Sequence, residues 1–350
     1  MKRVLIVGSA EQSAGGVASV IRMMKRMPVW DEYSCYWLGT QIQRNYAWKL
    51  WYALKAYVVA LFIIWRYDIV HFHTVPDRLG LIIQLPILIL SKLGKKRIVT
   101  QLHVGNQLDG QTENNLFKWF LRQSDVIILL ARRWQILFQD KYPDVKVRTE
   151  VIYNTSENVE FVDEEQRTHS VIYVGYMDEN KAPDILLKAW QRVKEQISLS
   201  HTDHVWKLYM LGNGDVERYK LMSKEMGLGD SVIFTGYVTG KEKESYFRKA
   251  SIYCLCSYNE GFPMAVLEAW NYGIPVVSTP VGGLPDVIEE GKNCCTFDFG
   301  NDIQLTEKLL LLMDDADMRH KMSVYERKFV HERFSLEAVN QEYRELYHSM

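Results

Sequence analysis

The stretch SYNEGFPMAVLEAWNYGIPVVSTPVGGLPDVI, residues 257–288, carries the densest pattern of the chain. A short apolar run, Ile252–Cys256, predicts a strand just before it. After a glycine-containing loop, a helical run begins near Pro263 and stops at Gly273. The next apolar run, Pro275–Ser278, predicts a second strand. This order predicts a parallel β–α–β unit with the loop at the carboxyl end of its first strand.

The same alternation of β-branched runs with helical stretches extends through the rest of the sequence. Further strands are predicted at Val4–Val7, Ile69–His73, Ile98–His103, Val126–Leu130, Val151–Tyr153, Val171–Val174, Leu208–Leu211 and Val232–Thr235. A polar gap at Ser156–Ser170 divides the series in two, and the spacing in Leu336–Met350 predicts a final helix. We therefore predict an α/β protein of two doubly wound parallel-sheet domains, with a boundary between residues 163 and 164.

Composition excludes a disordered chain, because 47% of the 350 residues are hydrophobic and 24% are charged. The net charge of −1 conceals +8 over residues 1–160 and −9 over residues 161–350, so the first half could face an anionic surface. The five cysteines show no metal-ligand spacing and predict a reducing, cytoplasmic compartment. They are Cys35, Cys254, Cys256, Cys294 and Cys295.

Residues 44–66 leave two environments open. Their uncharged run, Ala56–Trp65, is shorter than the ~20 residues that span a bilayer. Packing of a helix against a sheet is the favoured interpretation, because it is the commoner arrangement. Aromatic and basic residues on one helix also suit a membrane interface. A second apolar stretch, Leu79–Leu90, is interpreted as a buried helix.

The loop and the helix in residues 257–288 could bind a phosphate group that carries a sugar on either side. Gly261 allows the backbone close to a ligand, and the N–H groups at the helix start would point at a diphosphate. Glu260 and Glu268 would repel phosphate but could accept hydrogen bonds from sugar hydroxyls. A plain surface loop does not explain these residues together with the glycine pair Gly282-Gly283 at the next strand end.

Candidate residues also follow strands in the first half. Gly15-Gly16 precedes a helical run, which suits an anion or a simple tight turn, and the sequence lacks the GxGxxG pattern of dinucleotide sites. His71, His73 and His103 lie near strand ends. His103 is the best candidate for function, weighed equally against a structural histidine.

At these residues the sequence resembles glycosyltransferase family 4, a group of retaining enzymes with the two-domain GT-B fold. The family carries two glutamates separated by seven residues, as Glu260 and Glu268 are within EGFPMAVLEA. The resemblance covers almost the whole chain, including HFHT, VIYVGYMDENKAPDILLKAW, LGNG and VIFTGYV. It implies two Rossmann-like domains facing a central cleft. Residues 1–163 would bind the acceptor and residues 164–334 the nucleotide sugar, with helix 335–350 crossing back to the first domain.

The resemblance also implies a role for each site residue. Glu268 would bind the ribose, Glu260 the donor sugar, and Lys181 would neutralise the diphosphate. His103, Glu260 and Lys181 would form the catalytic group, with His103 near the reacting carbon. Donor-binding positions would be Gly16, Gly175, Lys181, Gly212, Glu260, Gly261, Phe262, Pro263, Met264 and Glu268. Acceptor-binding positions would be Gly15, Gly16 and His73.

Two positions depart from the family pattern. Tyr176 stands where the family usually has an arginine, so half of the expected cationic clamp for the diphosphate is missing. Ala182 replaces a usual glycine. These changes would mean an altered donor site, weaker activity, or an arginine supplied from elsewhere.

The expected activity is retaining transfer of a sugar from a nucleotide-diphosphate sugar to an acceptor hydroxyl. The acceptor would be a sugar or a lipid-linked saccharide in bacterial cell-surface polysaccharide assembly, at the inner face of the membrane. No cofactor, metal or nucleic acid is expected. Asp315-Ala316-Asp317 matches a metal-binding DxD pattern but is interpreted as a helix-start turn. The alternatives are a soluble enzyme of the same family with a small acceptor, and a non-enzymatic nucleotide-binding or scaffold protein.

Overall fold

The chain folds into two compact units in a computed structural model. Unit 1 comprises Met1–Ser156 and Phe334–Met350, and unit 2 comprises Glu157–Arg333. The structure describes residues 2–13, 15–42, 46–104, 108, 115–160, 162–200 and 205–350. Arg44, the first basic residue of the segment 44–66, lies outside the described residues.

Unit 1 contains a parallel sheet of six strands in the order β2-β1-β3-β4-β5-β6. The strands are β1 Val4–Ser9, β2 Tyr36–Gln41, β3 Ile69–Thr74, β4 Arg97–Leu102, β5 Val126–Leu129 and β6 Arg148–Val151. The central strands are buried on both faces, which explains their continuous apolar runs. Six helices of this unit are α1 Gly16–Met24, α2 Pro28–Glu32, α3 Tyr46–Ile63, α4 Arg78–Leu93, α5 Asn115–Arg122 and α6 Arg132–Lys141. Helices α1 and α2 cover one face of the sheet and α3 to α6 the other.

Unit 2 contains a second parallel sheet of six strands, in the order β12-β11-β10-β7-β8-β9. The strands are β7 Ser170–Val174, β8 Lys207–Leu211, β9 Val232–Gly236, β10 Ile252–Leu255, β11 Val276–Ser278 and β12 Cys295–Thr296. The helices are α7 Pro183–Ser200, α8 Val216–Glu225, α9 Gly240–Lys249, α10 Met264–Asn271, α11 Asp302–Asp314 and α12 Ala316–Phe334.

All ten predicted strands are present, although the one predicted at Val151–Tyr153 lies three residues earlier. The prediction missed β2 and β12. Both are edge strands, and β2 alternates between buried and partly exposed positions, so neither has a continuous apolar run.

The predicted final helix is confirmed as α13, Leu336–Ser349. Its residues Val339, Tyr343 and Tyr347 are buried against unit 1, on the face that α1 and α2 also cover. The C-terminus therefore returns to the first domain, as the family resemblance implied.

The two units divide at residue 157, seven residues before the predicted boundary. The polar gap is not a free linker, because α12 holds its first residues. Arg327 donates to the carbonyl of Val159 at 3.2 Å, and His331 Nδ1 lies 3.4 Å from Asn158 Oδ1. These contacts place the start of the gap within unit 2.

The prediction that α3 is a core helix is right for one face only. Small residues, Ala53, Ala56 and Ala60, are buried toward the sheet, whereas large apolar residues face outward. By length and composition alone, the 20-residue stretch Ala47–Arg66 is apolar enough to cross a membrane, and 22% of its apolar window is buried. The uncharged run alone is shorter than a membrane span, and the segment reaches that length only together with its flanking residues.

Candidate functional site

The site in unit 2 is built around the loop between β10 and α10. Pro263 precedes α10 with an extended backbone, and its side chain has no acceptor that could cap the first N–H groups of the helix. The sequence had placed Pro263 inside the first turn, whereas it occupies the position just before the helix. The helix start at Met264 therefore directs N–H groups toward the loop, where an anion would be stabilised.

Glu260 lies in this loop and is held from two sides. Its carboxylate forms an ion pair with Lys181 Nζ and accepts a hydrogen bond from Ser257 Oγ at 2.7 Å. Both members of the ion pair are mostly buried, with 23% of the Lys181 side chain and 12% of the Glu260 side chain exposed. The structure therefore brings together two residues that are 79 positions apart in the sequence and that were both predicted to act in the site.

The loop after β7 carries Lys181 and is bonded to the loop after β10. Tyr258 donates its N–H to the carbonyl of Asn180 at 2.7 Å, and the Asn180 side chain donates to the carbonyl of Asn259 at 3.1 Å. The backbone of Lys181 is fixed as well, since its N–H donates to Asp178 Oδ1 at 2.9 Å. These bonds set the position of the Lys181 ammonium relative to Glu260.

Glu268 forms a second ion pair, with Lys243. Both carboxylate oxygens of Glu268 accept from Lys243 Nζ, at 2.8 and 2.7 Å. Glu268 lies one turn into α10 and Lys243 lies in α9, and both side chains are about a quarter exposed. Lys243 was not predicted, because the run KEKE in which it lies resembles an ordinary solvated helix face. Ser257 was likewise not predicted, because the sequence offered no signal for it.

Two predicted glycines have a structural reason. A Cβ on Gly212 would lie 1.8 Å from the carbonyl oxygen of Gly175, and the backbone of Gly212 has φ of +148°. A Cβ on Gly282 would lie 2.8 Å from the carbonyl oxygen of Gly261. The loops at the carboxyl ends of the strands thus pack backbone against backbone, which only glycine permits. The proposed contacts of Gly175 and Gly212 with a donor stay predictions.

Tyr176 is exposed, with 59% of its surface accessible. Among the described residues, the Tyr176 side chain therefore makes no buried contact that would replace the missing arginine. The second cation beside the glutamate motif is Lys243, and it is supplied by a different strand–helix unit of the sheet. Ala182, the other departure, has a positive φ of 45°, the conformation in which glycine is preferred.

In unit 1, three histidines form a stack near the ends of β3 and β4. His73 Nδ1 lies 2.9 Å from His103 Nε2, and the rings of His71 and His73 stack with centroids 4.5 Å apart. Burial lowers the pKa of His103 to about 4 and, with the charge of His103, that of His71 to about 3. Burial and the neighbouring histidines hold the pKa of His73 well below its usual value. At neutral pH all three rings are uncharged, so His103 can exchange hydrogen bonds but carries no charge.

The glycine pair of unit 1 combines a strained turn with an open helix start. Gly15 has φ of +126°, and Gly16 begins α1 with no atom of the described residues within 4 Å of the position that a Cβ would occupy. The conformation explains Gly15, whereas packing does not explain Gly16. The predicted contacts of Gly15, Gly16 and His73 with substrate stay predictions.

The Asp315 segment is confirmed as a helix-start turn, because Asp315 Oδ1 accepts the N–H of Met318 at 2.8 Å. Within the described ranges of the chain, no three His, Cys, Asp or Glu side chains come together in a way that would hold a metal ion.

A sequence comparison matches residues 155–329 to the model of the family described as glycosyl transferases group 1. The chain belongs to this family. The match covers half of the chain and contains all four residues of the two ion pairs, Lys181, Lys243, Glu260 and Glu268. The site just described thus lies within the region that matches the family.

Curated relatives of the chain are also glycosyltransferases, and solved structures share its fold. An uncharacterized glycosyltransferase of Haemophilus influenzae is 26% identical over 269 residues, which are 76% of this chain and 73% of the relative. A lipopolysaccharide 1,6-galactosyltransferase of Escherichia coli is 33% identical over 151 residues, 41% of this chain and 40% of the relative. The Anabaena protein HepE, solved in complex with UDP-glucose, superposes with a TM-score of 0.76 at 16% identity, covering 100% of both chains.

Against several curated relatives, the aligned region spans less than half of the relative's length. The structural match to HepE shows the fold, which is the two-sheet GT-B architecture of glycosyltransferases. The predicted fold class is therefore confirmed for this group 1 glycosyltransferase.

Proposed function

We propose that the protein is a retaining glycosyltransferase that moves a sugar from a nucleotide-diphosphate sugar to an acceptor hydroxyl. The observation that carries the proposal is the pair of lysine–glutamate contacts at the start of α10, Lys181–Glu260 and Lys243–Glu268. They place two cations and two hydrogen-bond acceptors around a helix start whose N–H groups suit a phosphate. A nucleotide-diphosphate sugar has this alternation of hydroxyl-bearing and anionic groups.

The chemistry follows from where charge develops. When the anomeric C–O bond breaks, negative charge grows on the leaving nucleoside diphosphate, and Lys181 with the start of α10 would stabilise it. Glu260 and Glu268 would accept hydrogen bonds from the sugar and ribose hydroxyls. The acceptor hydroxyl would attack on the face that the diphosphate leaves, losing its proton to the leaving phosphate. Retention is thus proposed from the resemblance to family 4.

A glycosidase-like carboxylate pair is the rival interpretation of the two glutamates. It fits less well, because both carboxylates already accept hydrogen bonds from lysine ammonium groups. Neither is arranged as a protonated acid that donates to a leaving group.

We further propose that the enzyme needs no metal ion, because Lys181 and backbone N–H groups supply the positive charge. The test is turnover in EDTA, which we expect to be unchanged. Loss of turnover on chelation and its return with Mg²⁺ or Mn²⁺ would contradict this part of the proposal.

The proposed acceptor is a sugar or a lipid-linked saccharide of a bacterial cell-surface polysaccharide, handled at the inner face of the membrane. The support is the similarity to a lipopolysaccharide galactosyltransferase and the charge of +8 over residues 1–160. An enzyme with a small soluble acceptor is the second candidate.

A thermal-shift screen of UDP, GDP, ADP and dTDP tests the proposal directly. A ligand that binds only the folded protein stabilises it by about 2.7 kcal/mol at a hundred times its Kd. We expect one nucleotide to raise the melting temperature. The Glu268→Ala variant should show about half of that shift, because a tenfold higher Kd leaves about 1.4 kcal/mol of stabilisation at the same nucleotide concentration, while its unliganded melting temperature stays near that of the parent protein. No shift with any nucleotide, together with no donor hydrolysis, would leave the non-enzymatic scaffold alternative. A nucleotide shift without turnover of any donor sugar would leave a non-enzymatic nucleotide-binding protein.

A further inference from the structure

Helix α3 is apolar on both sides, and its larger side chains face outward. The side packed on the sheet carries Ala53, Ala56 and Ala60, whereas Phe62 is 74% exposed and Trp51 is 58% exposed. A helix that is apolar all round is normally covered by protein or by lipid. The arrangement is the reverse of a soluble surface helix, whose large apolar residues face the core.

The exposed apolar surface continues onto α4, which packs beside α3. The two helices are joined by a hydrogen bond from Tyr57 Oη to the carbonyl of Ile83 at 2.9 Å. We call the large apolar side chains that the two helices and the turn after α3 expose the outer apolar face. Its members are Trp48, Leu50, Trp51, Leu54, Val58, Leu61, Phe62, Trp65, Leu79, Ile82, Ile89 and Leu93. Exposed apolar residues scattered singly are ordinary, but a set of this size on two helices that pack against each other marks an interaction surface.

Charge around the outer apolar face identifies what covers it. Between residues 46 and 96 the sequence contains seven lysines and arginines and only two acidic residues, Asp68 and Asp77. Both acids are engaged by the backbone, since Asp68 accepts the N–H of Arg3 and Asp77 that of Gly80. The surroundings are therefore positive. A second copy of the same face would bring like charges together, whereas an anionic lipid surface is attracted to it.

The packing of α3 also decides how it meets a membrane. Its alanine side is part of the hydrophobic core of unit 1, with Ala56, Ala60 and Ile64 packed beneath the helix. A spanning helix would have to leave that core. A helix that keeps one side on the domain and presents tryptophans beside basic residues instead suits a position in the plane of the headgroup boundary.

We infer that the outer apolar face inserts into the interface of a lipid bilayer that contains anionic headgroups, with α3 lying in the membrane plane. This specifies the membrane contact named under the proposed function, but the geometry that supports it lies in unit 1 and does not depend on the donor chemistry. The partner of this face is lipid. Insertion of apolar side chains contributes most to the binding, and attraction between basic residues and anionic headgroups contributes less.

Flotation with vesicles of phosphatidylcholine, with and without 30% phosphatidylglycerol (about one anionic lipid in three), tests the inference. We expect binding to both, and stronger binding to the anionic vesicles at low salt. Replacing Leu54 and Phe62 with serine should lower the partition coefficient about 100-fold at any salt, about tenfold for each side chain withdrawn from lipid. Replacing Lys49 and Lys55 with glutamine should lower it only at low salt.

The matched control changes two exposed apolar residues of unit 2, Leu221→Ser with Leu311→Ser, which should leave vesicle binding unchanged. Vesicles with brominated acyl chains should quench tryptophan fluorescence of the parent protein, and less so after Trp51→Phe. Absence of vesicle binding, or equal binding by the Leu54/Phe62 variant, would overturn the inference. So would a concentration-dependent dimer, seen by light scattering, that this variant loses. Nucleotide binding without vesicles should be the same in all variants, so failure here is separate from failure of the proposed activity.

Discussion

The polar side chains at the carboxyl ends of the two sheets differ in charge and in burial. In unit 1 the residues there are histidines that burial keeps uncharged, stacked against each other and against the C-terminal helix through a 2.7 Å contact of His71 with Tyr347. In unit 2 they are partly exposed lysine–glutamate pairs. Both sheets have six parallel strands, so the difference does not come from the sheet architecture. It comes from the residues at the strand ends and in the loops that follow them.

This difference shows which side chains can leave their present contacts and bind a ligand instead. The side chains of the two ion pairs are between 12% and 29% exposed, so separating either pair leaves partly buried charges that need new partners. A diphosphate beside the lysines and sugar hydroxyls beside the glutamates would supply those partners. His71 and His73, which are 0% and 1% exposed, have no such freedom, since charging either of them would place an ion in a water-poor site.

The largest expected effect is on the cationic side of unit 2. Lys181→Ala should lower turnover by roughly 100- to 1,000-fold, since a contact to charge that develops in the transition state contributes about 2.7–4 kcal/mol. The control is Lys188→Ala, which removes an exposed lysine paired with Asp184 one helix turn away and should change turnover less than about twofold. Steady-state kinetics on both variants decides it. Near-normal turnover in Lys181→Ala would show that the phosphate site lies elsewhere.

The second effect probes the neutral histidines. The pKa of His71 is about 3 in the folded protein and about 6.5 when unfolded, so the unfolded chain binds more protons between these values. The free energy of unfolding is therefore highest above pH 6.5. It falls as the pH drops below 6.5, by about 2 kcal/mol at pH 5 for each such histidine. Few carboxylates titrate in that range. His71→Gln should reduce this loss between pH 7.5 and pH 5.

Hydrogen exchange of β3 and β4 amides measures the loss within unit 1. The control is His320→Gln, an exposed histidine of α12, which should keep the full pH dependence. An identical pH dependence in the parent protein and in His71→Gln would show that His71 accepts a proton in the folded state. The stack would then resemble the charged end of unit 2 rather than contrast with it.

The third effect separates the two ion pairs of unit 2 from each other. Glu268→Ala should weaken nucleotide binding by about tenfold, because a buried hydrogen bond to a hydroxyl is lost. Glu260→Ala should weaken it by less, since its proposed partner is the sugar. Calorimetry with the free nucleotide measures both. Lys243→Met is the matched control, since it removes the cation and leaves Glu268 free to bind. A loss in this variant as large as that of Glu268→Ala would assign the nucleotide contact to Lys243.

Much of this arrangement could be predicted from the sequence, and what could not has a common cause. The positions of ten strands and the glutamate loop follow from local patterns, in which apolar runs, glycines and prolines lie close together along the chain. Lys243 and Ser257 act through partners that only the fold brings near, so their own surroundings in the sequence are uninformative. The outward face of α3 was missed for a related reason. Composition shows that a helix is apolar, but only the structure shows that alanines occupy its inner side.

The smallest effect concerns the backbone that positions Lys181. Ala182 follows it with φ of +45°, a conformation that costs an alanine about 1 kcal/mol relative to a helical one. Glycine would remove this cost, but it would also gain about 0.4–1 kcal/mol of conformational freedom in the unfolded chain. Ala182→Gly should therefore change the free energy of unfolding by less than about 0.5 kcal/mol. Ala189→Gly, inside α7 of the same unit, should lower the free energy of unfolding by about 1 kcal/mol or more. At that position the backbone is helical, so glycine relieves no strain and only adds conformational freedom to the unfolded chain. Urea unfolding of the two variants compares them. Equal losses would mean that Ala182 stores no strain, and that the loop holding Lys181 is set by its hydrogen bonds to Asp178 and the β10 loop alone.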